Sequence, residues 1–428
     1  GEPALDTTTL SGRRVFYAHI DGDGFANRAV RQGTPLSAEV VRDLVLRRTP
    51  LPTTVSIVAK EVAGHARHEA IARSIFALPN VQAASHSYNH PHDWAHGTLT
   101  AGGATDGAAE GVRTTAAVLD PLKEIDESIR YVQTLLPPGR RVEAMLWSGQ
   151  TNPGPAFLAR TAALGVANLN GGDATLDRHR PSVANLAPLA RQVGPYLQVY
   201  SSAANENLFT NLWTGPFDGQ LRVLDLFRFA GAPRRLAPVN LYYHFYAGER
   251  LAGLRALQAI YRWAETQPLC YVTASRYARM VEGFYGAELR QVAPATWAVS
   301  GAGDCRTLRF DREPRTPDLA ASRGVAGYNR ANGALYVHLA GPEATVVLTA
   351  RPADRPHLAD ANAPVTAWAL SDRAIRATVE AEAPATVRLA GFGRAQAVRV
   401  SGAPHRADAA GGLTLRLPVG RRALEVRW

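Results

Sequence analysis

The feature that most constrains this chain is a change of period. From the start to roughly residue 285, short apolar runs alternate with segments whose apolar residues recur at helical spacing. Alternation of this kind is what a parallel sheet with connecting helices requires. The runs that read as strands are Val15–Ile20, Thr54–Ala59, Val81–Ser85, Ala144–Trp147, Val166–Leu169, Leu197–Tyr200, Val239–Phe245 and Leu269–Thr273. Between them, Ser37 is expected to cap a helix through Leu46, His68–Leu78 is apolar at helical spacing, and Asp120-Pro121 opens a helix stopped at Pro137-Pro138-Gly139. Arg250–Trp263 is amphipathic as well. The expectation is an α/β fold, an irregular (β/α) barrel over residues 1–287. Beyond it, eight alternating runs from Ala334–Leu339 to Ala423–Trp428, broken by Gly, Pro and Asp, predict an all-β sandwich over 288–428.

Composition narrows the function classes. The formal net charge is +10, and it comes from arginines spread along the chain, lysine occurring only at Lys60 and Lys123. With no basic stripe interleaved with aromatics, nucleic acid is not an expected partner. No run approaches the roughly 18 apolar residues of a membrane span. The opening Gly1-Glu2-Pro3 carries no signal peptide and reads as a processed end, which leaves the compartment open. Two cysteines, Cys270 and Cys305, allow one bridge at most.

The chemistry concentrates where strand runs end. Val15–Ile20 leads into His19-Ile20-Asp21-Gly22-Asp23-Gly24-Phe25. Alternate residues of a strand share a face, so His19, Asp21 and Asp23 point the same way. Two carboxylates at one strand end are expensive unless they do chemistry. A metal with one as ligand and the other as base accounts for both, and an Asx-Gly turn is the plainer reading. The run Val81–Ser85 leads into Ser85-His86-Ser87-Tyr88-Asn89-His90-Pro91. One turn of helix there would put both imidazoles on one side, and two histidines plus a carboxylate form a common hydrolytic metal site. His92 and His96 repeat the spacing as rivals, less rigidly placed because they follow Pro91 and lead into the small-residue stretch Gly97–Gly107, read as a flap or a surface insertion. A third strand end, Tyr242-Tyr243-His244-Phe245-Tyr246, carries one more histidine.

The ordered set of these three segments resembles the NodB-like polysaccharide deacetylases, most closely the Pel-type exopolysaccharide deacetylases, with weaker support from Asn168-Leu169-Asn170-Gly171-Gly172-Asp173 and Asn211–Phe217. The resemblance covers the chain to about residue 285. It implies a divalent metal, commonly zinc, held by Asp23, His86 and His90, with Asp21 as general base and His244 as general acid. It also implies an N-acetylated polysaccharide as substrate, N-acetylgalactosamine-rich, other exopolysaccharide export or modification proteins as partners, and a periplasmic or secreted location. Trp213 and Tyr243 are candidates for a sugar-binding wall, and a backbone N–H near Ser148-Gly149 for the oxyanion. His19 and Asp173 are expected behind the site, Asp173 to orient His244. In two respects the chain departs from the family. Gly22 separates aspartates that are usually adjacent, as it does in the Pel-type proteins. The arginine-proline motif that orients the base is absent after Ala144–Trp147, where Ser148-Gly149-Gln150 follows, so the partner of Asp21 is open. Two other functions fit the same residues: a polysaccharide-binding or assembly protein that keeps the metal, and a metal-dependent acetyl esterase for small substrates.

Overall fold

The computed structural model describes residues 2–428 except 101–113, 352–353 and 395. Seven of the eight expected strands form one open, half-barrel parallel sheet: β1 (Arg13–Asp21), β2 (Thr53–Ile57), β3 (Val81–Ser85), β4 (Ala144–Leu146), β5 (Ala167–Leu169), β6 (Val239–His244) and β7 (Leu269–Tyr271). Their order is β5-β4-β3-β2-β1, and the free edge of β1 is shared, β7 pairing with Arg14–Phe16 and β6 with Phe16–Asp21. The eighth expected strand falls elsewhere. Tyr196–Val199 pairs antiparallel with Ala190–Val193 as a separate two-stranded hairpin, so it does not close the sheet.

Helices Ser37–Val41, Ala66–Phe76 and Leu251–Glu265 bury their apolar stripes with Phe16, Ala18 and Ile20 of β1. The alternate residues Val15 and Tyr17 pack on the other face with Ala274–Gly286, where the Tyr17 and Tyr277 rings stack at 4.3 Å. A strand buried on both faces reads as a continuous apolar run rather than an alternation, and Arg14 to Asp21 are all buried. Ser37 does not cap its helix. Leu36 holds the cap position, and the Ser37 hydroxyl instead donates to the Phe245 carbonyl.

From Glu288 the chain is β-structure. A seven-stranded sheet, in spatial order Pro3–Leu5, Thr307–Asp311, Ala334–Leu339, Val325–Ala331, His357–Ala361, Ala385–Ala390 and Leu413–Leu417, runs alongside a four-stranded and a five-stranded sheet. Two apolar clusters lie in this region, one around Phe310, Val337 and Val346, the other around Val379, Leu389 and Val426. The strand Pro3–Leu5 belongs here, paired antiparallel with Leu308–Phe310. Arg13 ties the two regions together through Asp360 at 2.6 Å. Cys270 and Cys305 are both free and buried, with no bridge between them. Most of the stretch read as a flap lies outside the described residues. Its flanks, Thr98–Thr100 and Thr114–Ala116, pair with each other, and the first also pairs with Pro91–Asp93.

Candidate active site

Four strand ends converge at the C-terminal edge of the parallel sheet, the edge at which barrel enzymes of this architecture carry their chemistry. Asp21 ends β1, His86 follows β3, Asn170 follows β5 and His244 ends β6. Strand register brings two of them together directly: His244 is the pairing partner of Asp21. Gly22 lets the chain pass from the end of β1 to Asp23 beside the end of β2, since a side chain there would put its Cβ 2.7 Å from the Val58 backbone nitrogen.

Asp23 sits between the two histidines of the second segment. Its Oδ2 is 3.0 Å from His86 Nε2 and its Oδ1 is 2.9 Å from His90 Nε2. All three residues are buried. His86 Nδ1 lies 2.9 Å from the Leu146 carbonyl, which only accepts, so Nδ1 carries the proton. In the neutral ring Nε2 is then a bare lone pair aimed at a carboxylate oxygen. Neither His86 Nε2 nor Asp23 Oδ2 has a hydrogen-bond partner among the described residues, and buried atoms left so are costly. A cation between them satisfies both. Ligand atoms at 2.9–3.0 Å approach the roughly 3.3 Å edge of a tetrahedral zinc site. Asp23, His86 and His90 therefore fit a divalent metal, and Asp21, Asp23 and His244 form a second, overlapping group of donors. Burial works against the Asp23 carboxylate, but His90, His86 and His244 outweigh it and hold its pKa well below the usual range.

The local structure differs from the expected helical turn. Residues 86–90 form a loop in which Ser87 and His90 adopt left-handed backbone, with φ of +68° and +60°. The Ser87 hydroxyl accepts from the His90 N–H at 3.0 Å. Glu124, buried, accepts from the Tyr88 and Asn89 backbone N–H groups and from Asn89 Nδ2 at 2.6–3.1 Å. Two imidazoles four residues apart thus converge because the loop folds back, not because a helix presents them. The rival pair stays out: His96 is exposed and bonds Asp93 at 2.8 Å, and His92 is no member of the donor groups.

Asp21, 2% exposed, accepts Asn170 Nδ2 on both oxygens at 3.0 Å and the Tyr242 hydroxyl on Oδ2 at 2.6 Å. Burial and the neighbouring carboxylate push the Tyr242 pKa well above its ordinary value, so the hydroxyl stays a donor. His244 lies across from it, Nε2 at 3.7 Å from Asp21 Oδ2 and 3.9 Å from Asp23 Oδ2. Behind His244 sits Glu206, fully buried, which accepts the His244 backbone N–H at 3.0 Å and Nδ1 at 3.1 Å. Burial disfavours the charged ring, but Glu206, Asp23 and Asp21 prevail and raise its pKa to about 10.

The remaining candidates divide. His19 is buried behind Asp21, within 3.1 Å of Asn170 Oδ1, with its pKa lowered by burial to about 4. Trp213 is half-buried, its ring 6.4 Å from that of Tyr246, which lies 5.7 Å from the His244 ring. Tyr243 is not brought into the site. It points to the opposite face of β6, fully buried, with its hydroxyl 3.1 Å from that of Tyr261. Asp173 is exposed, and Glu206 stands where it was expected to orient His244. The Ser148 hydroxyl donates to the Pro91 carbonyl at 2.7 Å, which fixes the histidine loop, and Gly149 follows with φ +59° where a Cβ would strike His92. Glu206, Glu124, Asn170 and Tyr242 are site residues that sequence reasoning did not assign. Tyr242 had a signal, because it is two residues before His244 on one strand.

No family model and no curated protein matches the chain. Among solved structures, it is similar to Puue allantoinase at 16% identity and a TM-score of 0.39, over 65% of this chain and 93% of that one. The 4-alpha-glucanotransferase from Thermococcus litoralis matches at 8% identity and 0.39, over 96% and 98%. A GH30 endoxylanase from Clostridium papyrosolvens C71 matches at 9% and 0.28, over the whole of both chains.

Proposed function

We propose that the chain is a hydrolase of the NodB-like deacetylase type: a metal-dependent enzyme that removes N-acetyl groups from an N-acetylhexosamine exopolysaccharide, Pel-like and N-acetylgalactosamine-rich, releasing acetate. In this reading the open sheet is the deacetylase barrel and the C-terminal sheets form a β-sandwich beside it. The setting is periplasmic or secreted, among other exopolysaccharide export or modification proteins. The observation that supports it most is the three-donor pocket of Asp23, His86 and His90, with a carboxylate on one side and an imidazole on the other.

A zinc-like cation held by those three residues would lower the pKa of water and polarise the acetamide carbonyl. Asp21 takes the proton of the attacking water; its two donors, Asn170 and Tyr242, aim it. His244 delivers a proton from Nε2 to the departing nitrogen, because an amide anion is a very poor leaving group. Glu206 holds the other ring nitrogen and so fixes which one faces the bond. Trp213, half-buried on the His244 side, offers a ring for a sugar, with the buried Tyr246 ring packed between it and His244.

The test is acetate release from a partially N-acetylated galactosamine polymer with zinc present. Asp21→Asn and His244→Ala are each expected to lower kcat by about 10²- to 10⁴-fold, and a chelator should abolish turnover. Polymer binding with no acetate above background would favour the binding protein instead. Turnover confined to small acetyl esters would favour the esterase.

A further inference from the structure

The base Asp21 is held by a relay whose polarity is fixed three residues away from it. Asn240 begins the relay. Its Oδ1 accepts the backbone N–H of Ser202 at 3.1 Å and of Ala203 at 3.2 Å, so that end of the amide is the oxygen. Its Nδ2 then lies 3.1 Å from His19 Nδ1. An amide nitrogen only donates, so His19 Nδ1 accepts and the ring proton sits on Nε2. His19 Nε2 faces Asn170 Oδ1 at 3.1 Å. The other end of the Asn170 amide meets three acceptors at 3.0 Å, both Asp21 oxygens and the Trp147 carbonyl. Turned round, Asn170 would set its oxygen against all three and its nitrogen against a donor. The two amides and the imidazole are thus bonded in one direction only.

We propose that Asn170 is the positioning residue of the base, and that Asn240 and His19 lock its amide so that the N–H end always meets Asp21. The role of Asp21 as base rests on the deacetylase reading above; the locked relay itself does not. His19 lies on β1, Asn240 near the start of β6 and Asn170 just after β5, so the relay also links these three segments behind the donor pocket. Asn170 suits the task because its backbone has φ +108°, a conformation that asparagine tolerates better than most residues. Arginine in this place would bring a full charge into a buried pocket beside a cation site. The locked amide supplies the same donation without one.

The relay predicts a spectroscopic signature that does not depend on turnover. In protein labelled with nitrogen-15 histidine, the ring nitrogens of His19, assigned by its loss in His19→Phe, are expected to report a neutral ring protonated at Nε2. A ring protonated at Nδ1, or at both nitrogens, overturns the proposal. In the zinc-loaded enzyme, Asn170→Gly adds no backbone strain at this φ. It is expected to lower kcat about 100-fold, the scale on which misplaced catalytic groups act, with KM and zinc stoichiometry unchanged. His19→Phe keeps an aromatic ring against Tyr242 and is expected to lower kcat about 10-fold, at the lower end for outer hydrogen-bond partners. Unchanged kcat in Asn170→Gly, a rise in KM alone, or loss of zinc in parallel with activity would each overturn the positioning role. A wild-type protein that releases no acetate removes the proposed function alone, and the ring-nitrogen spectrum still decides the relay.

Discussion

Two histidine pairs of identical spacing lie within eleven residues and meet opposite fates. His86 and His90 are buried against Asp23; His92 and His96 join no donor group with it, and His96 faces solvent. Spacing along a chain does not separate them. What does is the backbone between them: left-handed Ser87 and His90 curl the first pair inward, and Glu124 pins the intervening N–H groups. Beyond Pro91 the chain becomes a strand paired with Thr98–Thr100, and neither His92 nor His96 belongs to a donor group. The lesson is that i,i+4 histidines converge for a reason that a helix supplies by default and a loop has to build from buried partners.

The largest effect expected from this contrast is on metal. His86→Ala or His90→Ala removes one of three donors and should lower zinc affinity by several orders of magnitude, with acetate release falling at least about 10³-fold, beyond the loss expected from an outer-shell partner alone. Equilibrium dialysis against zinc reads the first and acetate assay the second. Retained zinc in both variants would break the contrast, because the pocket would then not be the metal site.

The parts of this arrangement that can be read in the chain are those carried by local pattern. Val15–Ile20, Val81–Ser85 and Val239–Phe245 announce themselves as buried strands, and the polar residues that end them fall where the sheet delivers its chemistry. Pairing is different. That His244 stands beside Asp21 depends on β6 joining β1 in one register, and nothing in either run specifies the neighbour. Glu206, Glu124 and Asn170 escaped for the same reason. Each acts on a residue far off in sequence, and a lone Glu or Asn has no period. Tyr243 was misplaced through a neighbouring-residue slip, since one step along a strand reverses the face. The same limit holds in the β-region, where alternation marks Ala334–Leu339 and Val365–Leu370 as strands but says nothing of Pro3–Leu5 joining that sheet.

Next in size is the support of the proton donor. Glu206→Gln keeps the shape and removes the charge that, with Asp23 and Asp21, raises His244 to about 10 against an ordinary 6.5. The general acid has to be protonated, so activity falls as pH rises through its pKa, and the variant's alkaline limb should move to lower pH. A loss in kcat of about 10- to 100-fold is expected at neutral pH. Stability follows the same sign. A raised folded-state pKa contributes stability fully below pH 6.5, lost as pH rises through 10. Urea unfolding of metal-free protein at a series of pH values should show that decline in the wild type and a weaker one in the variant. A pH profile identical to wild type would mean that Glu206 serves only the backbone N–H.

The smallest effects test the loop itself. Glu124→Gln leaves a carbonyl to accept in place of a charged carboxylate, which satisfies two N–H groups at 2.9 and 3.1 Å as well as the Asn89 amide at 2.6 Å. Loss of a charge-assisted bond in a buried place is worth about 1–3 kcal/mol, read as a shift of the urea midpoint. Zinc affinity should weaken about 10-fold, since the donors themselves stay in place. His96→Ala is the matching control. His96 sits on the surface with its ring against Asp93, and an exposed ion pair is worth about 0–1 kcal/mol. Zinc affinity and acetate release in that variant should therefore stay within twofold of wild type. If His96→Ala weakened zinc as much as Glu124→Gln does, both would act by loosening the segment as a whole, and the Glu124 carboxylate would have no specific part in the inward curl of residues 86–90.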